Sequence, residues 1–248
     1  RGGVEQGRPS LVSLGGQVYA AWLIAPAAGN GSVFVARLTA DGALSGSPVA
    51  LGGGQSVRYP AIAASGDRLA VAYVVGAPGA TPQLKLAILD AGLATQRDVV
   101  VREGAGIAAN PSVAWDGQRW VIAWEDTGRG AMEEIFFTRV DAGGAVEPSR
   151  VLSAPGDGSA NWPKVAVGAG GESAVTYYAF PDDAEILVAR IGADGNRVGT
   201  PVRVSRSSGK ARFPAVTFQP GSGELGVSWH DTRAGNPEIF FARVRCAP

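Results

Sequence analysis

Apolar residues in this chain fall in short runs broken by Gly, Pro and Asp. No segment holds the 10–15-residue helical period between caps that a helix would need. The segment 111–153 shows the pattern. Pro111-Ser112-Val113-Ala114 reads as a short apolar strand, Asp116-Gly117 as a turn, and Arg119–Trp124 as a second strand rich in β-branched and aromatic residues. A polar loop follows over 125–133. A third strand then covers Glu134–Val140, a turn begins at Asp141, and a fourth strand covers Ser149–Ser153. Strands of this length between such turns predict antiparallel hairpins and an all-β chain.

The same pattern returns five times. A proline recurs at Pro9, Pro60, Pro111, Pro163 and Pro214, spaced 51, 51, 52 and 51 residues. An aromatic recurs at Trp22, Tyr73, Trp124, Tyr177 and Trp229, and a third column reads Arg37, Ile88, Arg139, Arg190 and Arg243. Four antiparallel strands in about 50 residues, repeated, predict a five-bladed β-propeller: one blade cannot bury both of its faces, whereas radial packing covers each face with a neighbour. The units fall at 9–59, 60–110, 111–162, 163–213 and 214–248, within a single domain over 1–248. In the inner strands a large residue (Leu11, Ile62, Val113, Val165, Val216) alternates with mostly small ones, as a strand presenting two different faces requires. Lys164 breaks that rule and needs a partner or an aqueous channel. The last unit ends after its third strand, so the final blade is expected to be weak or three-stranded. Val4 is the only candidate for a closing outer strand within the chain.

Composition narrows the partners. The 248 residues carry 22 basic and 22 acidic side chains, a net charge of zero, which leaves no positive field for nucleic acid. With 46% hydrophobic residues the chain can build a core. Its single cysteine, Cys246, excludes an internal disulfide and multi-cysteine zinc sites. No apolar run is long enough for a membrane-spanning helix. No cofactor is expected: the acidic loops are compatible with calcium, but none spaces six oxygen ligands. A monomer is expected.

The third-to-fourth-strand turns keep Asp41, Asp90, Asp141 and Asp194, each with a glycine one or two residues later. With the x-Pro-x-Val-Ala and Glu-Ile-Phe-Phe-x-Arg-Val-Asp strings, they resemble the bacterial neuraminidase repeat of sialidase-like propellers, with degenerate Asp-boxes. The resemblance implies a propeller fold, a glycan-related role and a place outside the cell, extracellular, at the surface or periplasmic. Sialidase enzymes have six blades, an arginine triad, a tyrosine nucleophile and an acidic proton donor. That set does not map onto this chain, so the resemblance carries fold rather than activity.

Candidate contacts sit on the face carrying the longer loops. Arg8, Tyr59, Asn110, Trp162 and Phe213 each precede a repeated proline and should ring the central funnel. There aromatic planes, amide and guanidinium suit sugars or other planar ligands, while a residue before proline is itself expected to be extended. Two loops, Glu125-Asp126-Thr127-Gly128-Arg129 and His230-Asp231-Thr232-Arg233, offer either ligand contacts (Asp126, His230, Asp231, Arg233) or local Asp–Arg pairs that stabilise the loop. His230 reads as a residue of an exposed loop. Glu134, Glu185 and Glu238 are natural partners for the recurrent arginines.

Three functions follow. The first is a non-catalytic binding propeller, directed to a glycan or another protein. The second is a glycoside hydrolase, which needs two carboxyls about 5–9.5 Å apart, drawn from Glu125, Asp126, Asp231 and the Asp182-Asp183 pair. The third is a structural or protein-docking scaffold.

Overall fold

The computed structural model describes residues 4–26, 31–53, 55–76, 81–128, 130, 132–180, 184–206 and 209–245, with the side chains of 4–8 and 26 outside that description. Cys246, Arg129 and the Asp182-Asp183 pair lie outside the described residues, as does the side chain of Arg8. Every element described is a strand, and no helix is long and apolar enough to cross a membrane.

The strands form five antiparallel sheets. The first holds β1 (Val4–Leu14), β2 (Gln17–Pro26), β3 (Ser32–Leu38) and β4 (Leu44–Leu51). The second holds β5 (Ser56–Ser65), β6 (Arg68–Gly76), β7 (Gln83–Asp90) and β8 (Thr95–Arg102). The third holds β9 (Ala108–Trp115), β10 (Arg119–Asp126), β11 (Glu134–Asp141) and the short β12 (Arg150–Val151). The fourth holds β13 (Ala160–Val167), β14 (Ser173–Ala179), β15 (Glu185–Ile191) and β16 (Arg197–Arg203). The fifth has three strands, β17 (Arg212–Phe218), β18 (Leu225–Asp231) and β19 (Glu238–Val244). This is the architecture of propeller blades. Val4 opens the first inner strand and pairs with Pro26 in its own sheet, so it does not serve as an outer strand for the fifth.

The core lies between blades. Tyr19, Val33 and Val35 of the first blade meet Ile62, Leu69, Val71 and Tyr73 of the second. Ala70, Ala72 and Val74 point the other way, onto Val113, Ile122 and Trp124 of the third. Successive strand residues face opposite sides, so β6 needs apolar residues at consecutive positions, and its sequence supplies them. The inner strands pack in chain order, β1 on β5, β5 on β9, β9 on β13 and β13 on β17, and no comparable packing joins β17 to β1 among the described residues. The first three blades also reach over the next. Tyr19 Oη donates to Ala91 O, Arg68 Nη1 to Ala142 O, and Arg139 to the carbonyls of Ala193 (2.9 Å) and Asp194 (3.0 Å). Arg139 pairs with Glu147 at 3.0 Å, while Glu185, at the start of β15, accepts a hydrogen bond from Ser205. The recurrent arginine and the strand-start glutamate stand at opposite ends of one strand, which is why the expected pairing gives way to these neighbours.

Candidate functional site

The two most regular columns of the sequence meet at one structural device. In each blade the inner strand carries a bulge in which the pre-proline residue and the proline together oppose a single residue of the second strand. Tyr59-Pro60 face Tyr73, Asn110-Pro111 face Trp124, Trp162-Pro163 face Tyr177, and Phe213-Pro214 face Trp229. Proline suits this place because a bulge interrupts the ladder that its missing N–H would otherwise break. The pre-proline residues are not extended, as proline alone would dictate. Tyr59, Asn110, Trp162 and Phe213 are left-handed, with φ of 56°, 47°, 58° and 54°. The bulge geometry overrides the local preference. Such backbone costs on the order of 1–3 kcal/mol per residue and persists where surrounding structure holds it, commonly at ligand sites.

The bulges bring the ring residues together. Tyr59, Asn110 and Trp162, with Pro9, Pro60, Pro111 and Lys164, line a cavity of about 150 Å³ at the mouth of the inner strands. Lys164 thus lies on the axial opening that its polar head requires. Phe213 stands beside this wall, edge-on to Trp162 at 4.9 Å and to Tyr178 at 6.0 Å. His230 stacks on Phe213 with planes 1° apart. It is the sixth residue of β18 and half-buried, which corrects its expected place in an exposed loop. Its Nε2 and the Nε of Arg212 are buried without a hydrogen-bond partner among the described residues. The Arg212 guanidinium lies over the rings of Phe180 (5.4 Å) and Tyr178 (5.9 Å).

Glu125 ties the ring together. It is 8% exposed, accepts a hydrogen bond from Asn110 Nδ2 at 2.7 Å, and accepts another from the Trp162 backbone N–H at 2.6 Å. One carboxylate therefore holds the bulges of two blades, and those bonds offset its burial. Burial, and then the negative charge of Glu125, push the Tyr178 phenol up from its ordinary value. Glu125, Tyr178 and His230 occupy the same position in three successive units, immediately after the repeated aromatic. That column, Leu23, Val74, Glu125, Tyr178, His230, is where the sequence carried the signal for Tyr178, which the proline column alone does not point to.

The other candidate acids are engaged with arginines, Asp126 across a blade seam and Asp231 within its own loop. Asp126 is paired with Arg102 at 2.6 Å and accepts from Trp124 Nε1 (3.0 Å) and Gly128 N (2.7 Å). Asp231 repeats the arrangement with Arg233 at 2.5 Å and Trp229 Nε1 at 3.1 Å. Arg233 itself lies over Phe240, 4.3 Å from its centroid. Among the described residues no three His, Cys, Asp or Glu side chains group as metal ligands.

Fold and site together define a propeller-type scaffold with an aromatic, hydrogen-bonding mouth at its axis. No family model matches the sequence, and neither does any curated protein. Solved structures do match in fold. An α-L-arabinanase from Penicillium chrysogenum, complexed with arabinobiose, aligns at a TM-score of 0.68 and 13% identity over 97% of this chain and 81% of its own. An α-L-arabinofuranosidase from Lactobacillus brevis aligns at 0.56 and 11%, over 97% and 90%. An N-acetylgalactosamine deacetylase from F. plautii, in complex with blood group B trisaccharide, aligns at 0.54 and 12%, over 91% and 80%. At these identities the likeness is one of fold. None of these three is named a sialidase, so the sialidase resemblance rests on the repeat sequence.

Proposed function

We propose that this chain is a non-catalytic, carbohydrate-binding propeller that takes a sugar at the axial mouth. The observation that carries the reading is the wall of Tyr59, Asn110 and Trp162, with Phe213 beside it, each set in a left-handed bulge. Ring faces accept the apolar C–H face of a sugar, and the amide of Asn110, with Lys164 and Arg212, supplies polar contacts at the edges. Glu125 already holds two N–H donors, which suits a carboxylate that shapes the wall better than one that shuttles protons. The arabinobiose and trisaccharide complexes of two fold neighbours support the same class of partner. In this reading the protein meets its glycan outside the cell.

Calorimetric titration with arabino-oligosaccharides, backed by a glycan array, tests it. Trp162→Ala should weaken binding about tenfold, the loss of one stacking contact of roughly 1.4 kcal/mol. Binding unchanged in both Trp162→Ala and Tyr59→Ala would remove the mouth as the site. Reducing ends released from arabinan, and abolished by Glu125→Gln, would establish the hydrolase instead.

A further inference from the structure

The fifth blade presents an interior face to solvent. Its third strand begins Glu238-Ile239-Phe240-Phe241, the same four residues that begin the third strand of the third blade, Glu134-Ile135-Phe136-Phe137. Ile135 and Phe137 are 0% and 2% exposed, covered by the fourth blade. Ile239 and Phe241, in the same register, are 78% and 65% exposed. The first blade is open on its opposite side, where Leu11 is 58% exposed although its counterpart Ile62 is 6% exposed between blades. Val18, the counterpart of the fully buried Leu69, is likewise exposed, and Trp22 stacks on Phe34 along the same face. One molecule therefore displays both halves of a single blade–blade interface. Large apolar surfaces of this kind mark interaction sites.

We propose that the two faces take each other between molecules, the fifth blade of one copy packing on the first blade of a second copy. The chain supplies both partners, and the contacts follow the register of its four internal interfaces. Ile239 and Phe241 would meet the second copy's Leu11 and Val18. Arg243, the repeat counterpart of Arg139, would reach the carbonyls of the second copy's Ala40 and Asp41, as Arg139 reaches Ala193 and Asp194. In the single chain Arg243 pairs with Glu224 of its own blade. Within one chain no packing comparable to β1 on β5 joins the first and fifth blades among the described residues. The contact is heterologous, so it adds copies head to tail.

Sedimentation of the intact protein from micromolar to near-millimolar concentration tests this. The average mass should climb through multiples of the single chain. Phe241→Asp and Leu11→Asp should each hold the protein as single chains. An equal mixture of the two variants, which retains one good face of each kind, should give a one-to-one pair that grows no further. Unchanged circular dichroism would show that the variants remain folded, as expected for side chains already exposed. A single-chain mass throughout the range for the unsubstituted protein, or a mixture that does not pair, would overturn the proposal.

Discussion

At Trp162 the backbone adopts a left-handed conformation under one of the bulkiest side chains, and its N–H goes to the Glu125 carboxylate 2.6 Å away. Strain, burial and charge meet in that hydrogen bond, since each of the three is tolerable only with the others. The sequence marks Trp162 by the proline after it. It does not reveal the sign of φ, because the proline rule speaks for extended backbone and the two-against-one pairing opposite Tyr177 decides otherwise. Arg102 shows a second residue-scale balance. Its guanidinium and Asp126 are 11% and 3% exposed, at the seam between the second and third blades. Arg102→Ala would leave a buried carboxylate unpaired. Urea denaturation should show a loss of about 3–5 kcal/mol, and a loss within the error of the method would mean that water reaches Asp126.

At the scale of the element, the third strands of the third and fifth blades form a natural control. They share the Glu-Ile-Phe-Phe segment and the pairing with their second strands, and they differ in what covers one face and in the outer strand, β12, that pairs with β11. Phe137→Ala should cost about 3–5 kcal/mol, as deletion of a buried ring does, whereas Phe241→Ala in the single chain should cost no more than about 0.5 kcal/mol. Thermal unfolding of both variants at low protein concentration checks this, and equal costs would mean that the fifth blade is covered after all. The strands, turns and repeat register were readable because alternation and Gly/Asp turns are local signals. The shortening of the fourth strand to Arg150–Val151 in the third blade was not, since it depends on what the sheet edge pairs with.

Across the whole molecule, stability should grade along the series of blades. Strands β6, β10 and β14 are buried on both faces, while β18 alternates buried and half-exposed positions and its sheet lacks a fourth strand. Local opening follows the number of buried apolar contacts. Amide hydrogen exchange on dilute protein should therefore be slowest in β6 and β10 and fastest in β17–β19. Protection in β18 equal to that in β10 would contradict the open face.

The amino-acid sequence by itself determined the all-β character, the repeating four-strand units and the three-stranded last sheet, because each depends on neighbours along the chain or on a period that repeats. Only the tertiary structure decided that four of the pre-proline residues turn left-handed, that Glu125 joins two of them, that Asp126 pairs with Arg102 of the preceding blade while Asp231 pairs locally with Arg233, and that His230 lies in a strand against Phe213. The physical reason is visible in the shared Glu-Ile-Phe-Phe segment. Ile135 and Phe137 are buried whereas Ile239 and Phe241 are exposed, and what differs is the cover that the fourth blade and the paired outer strand β12 give to the first pair.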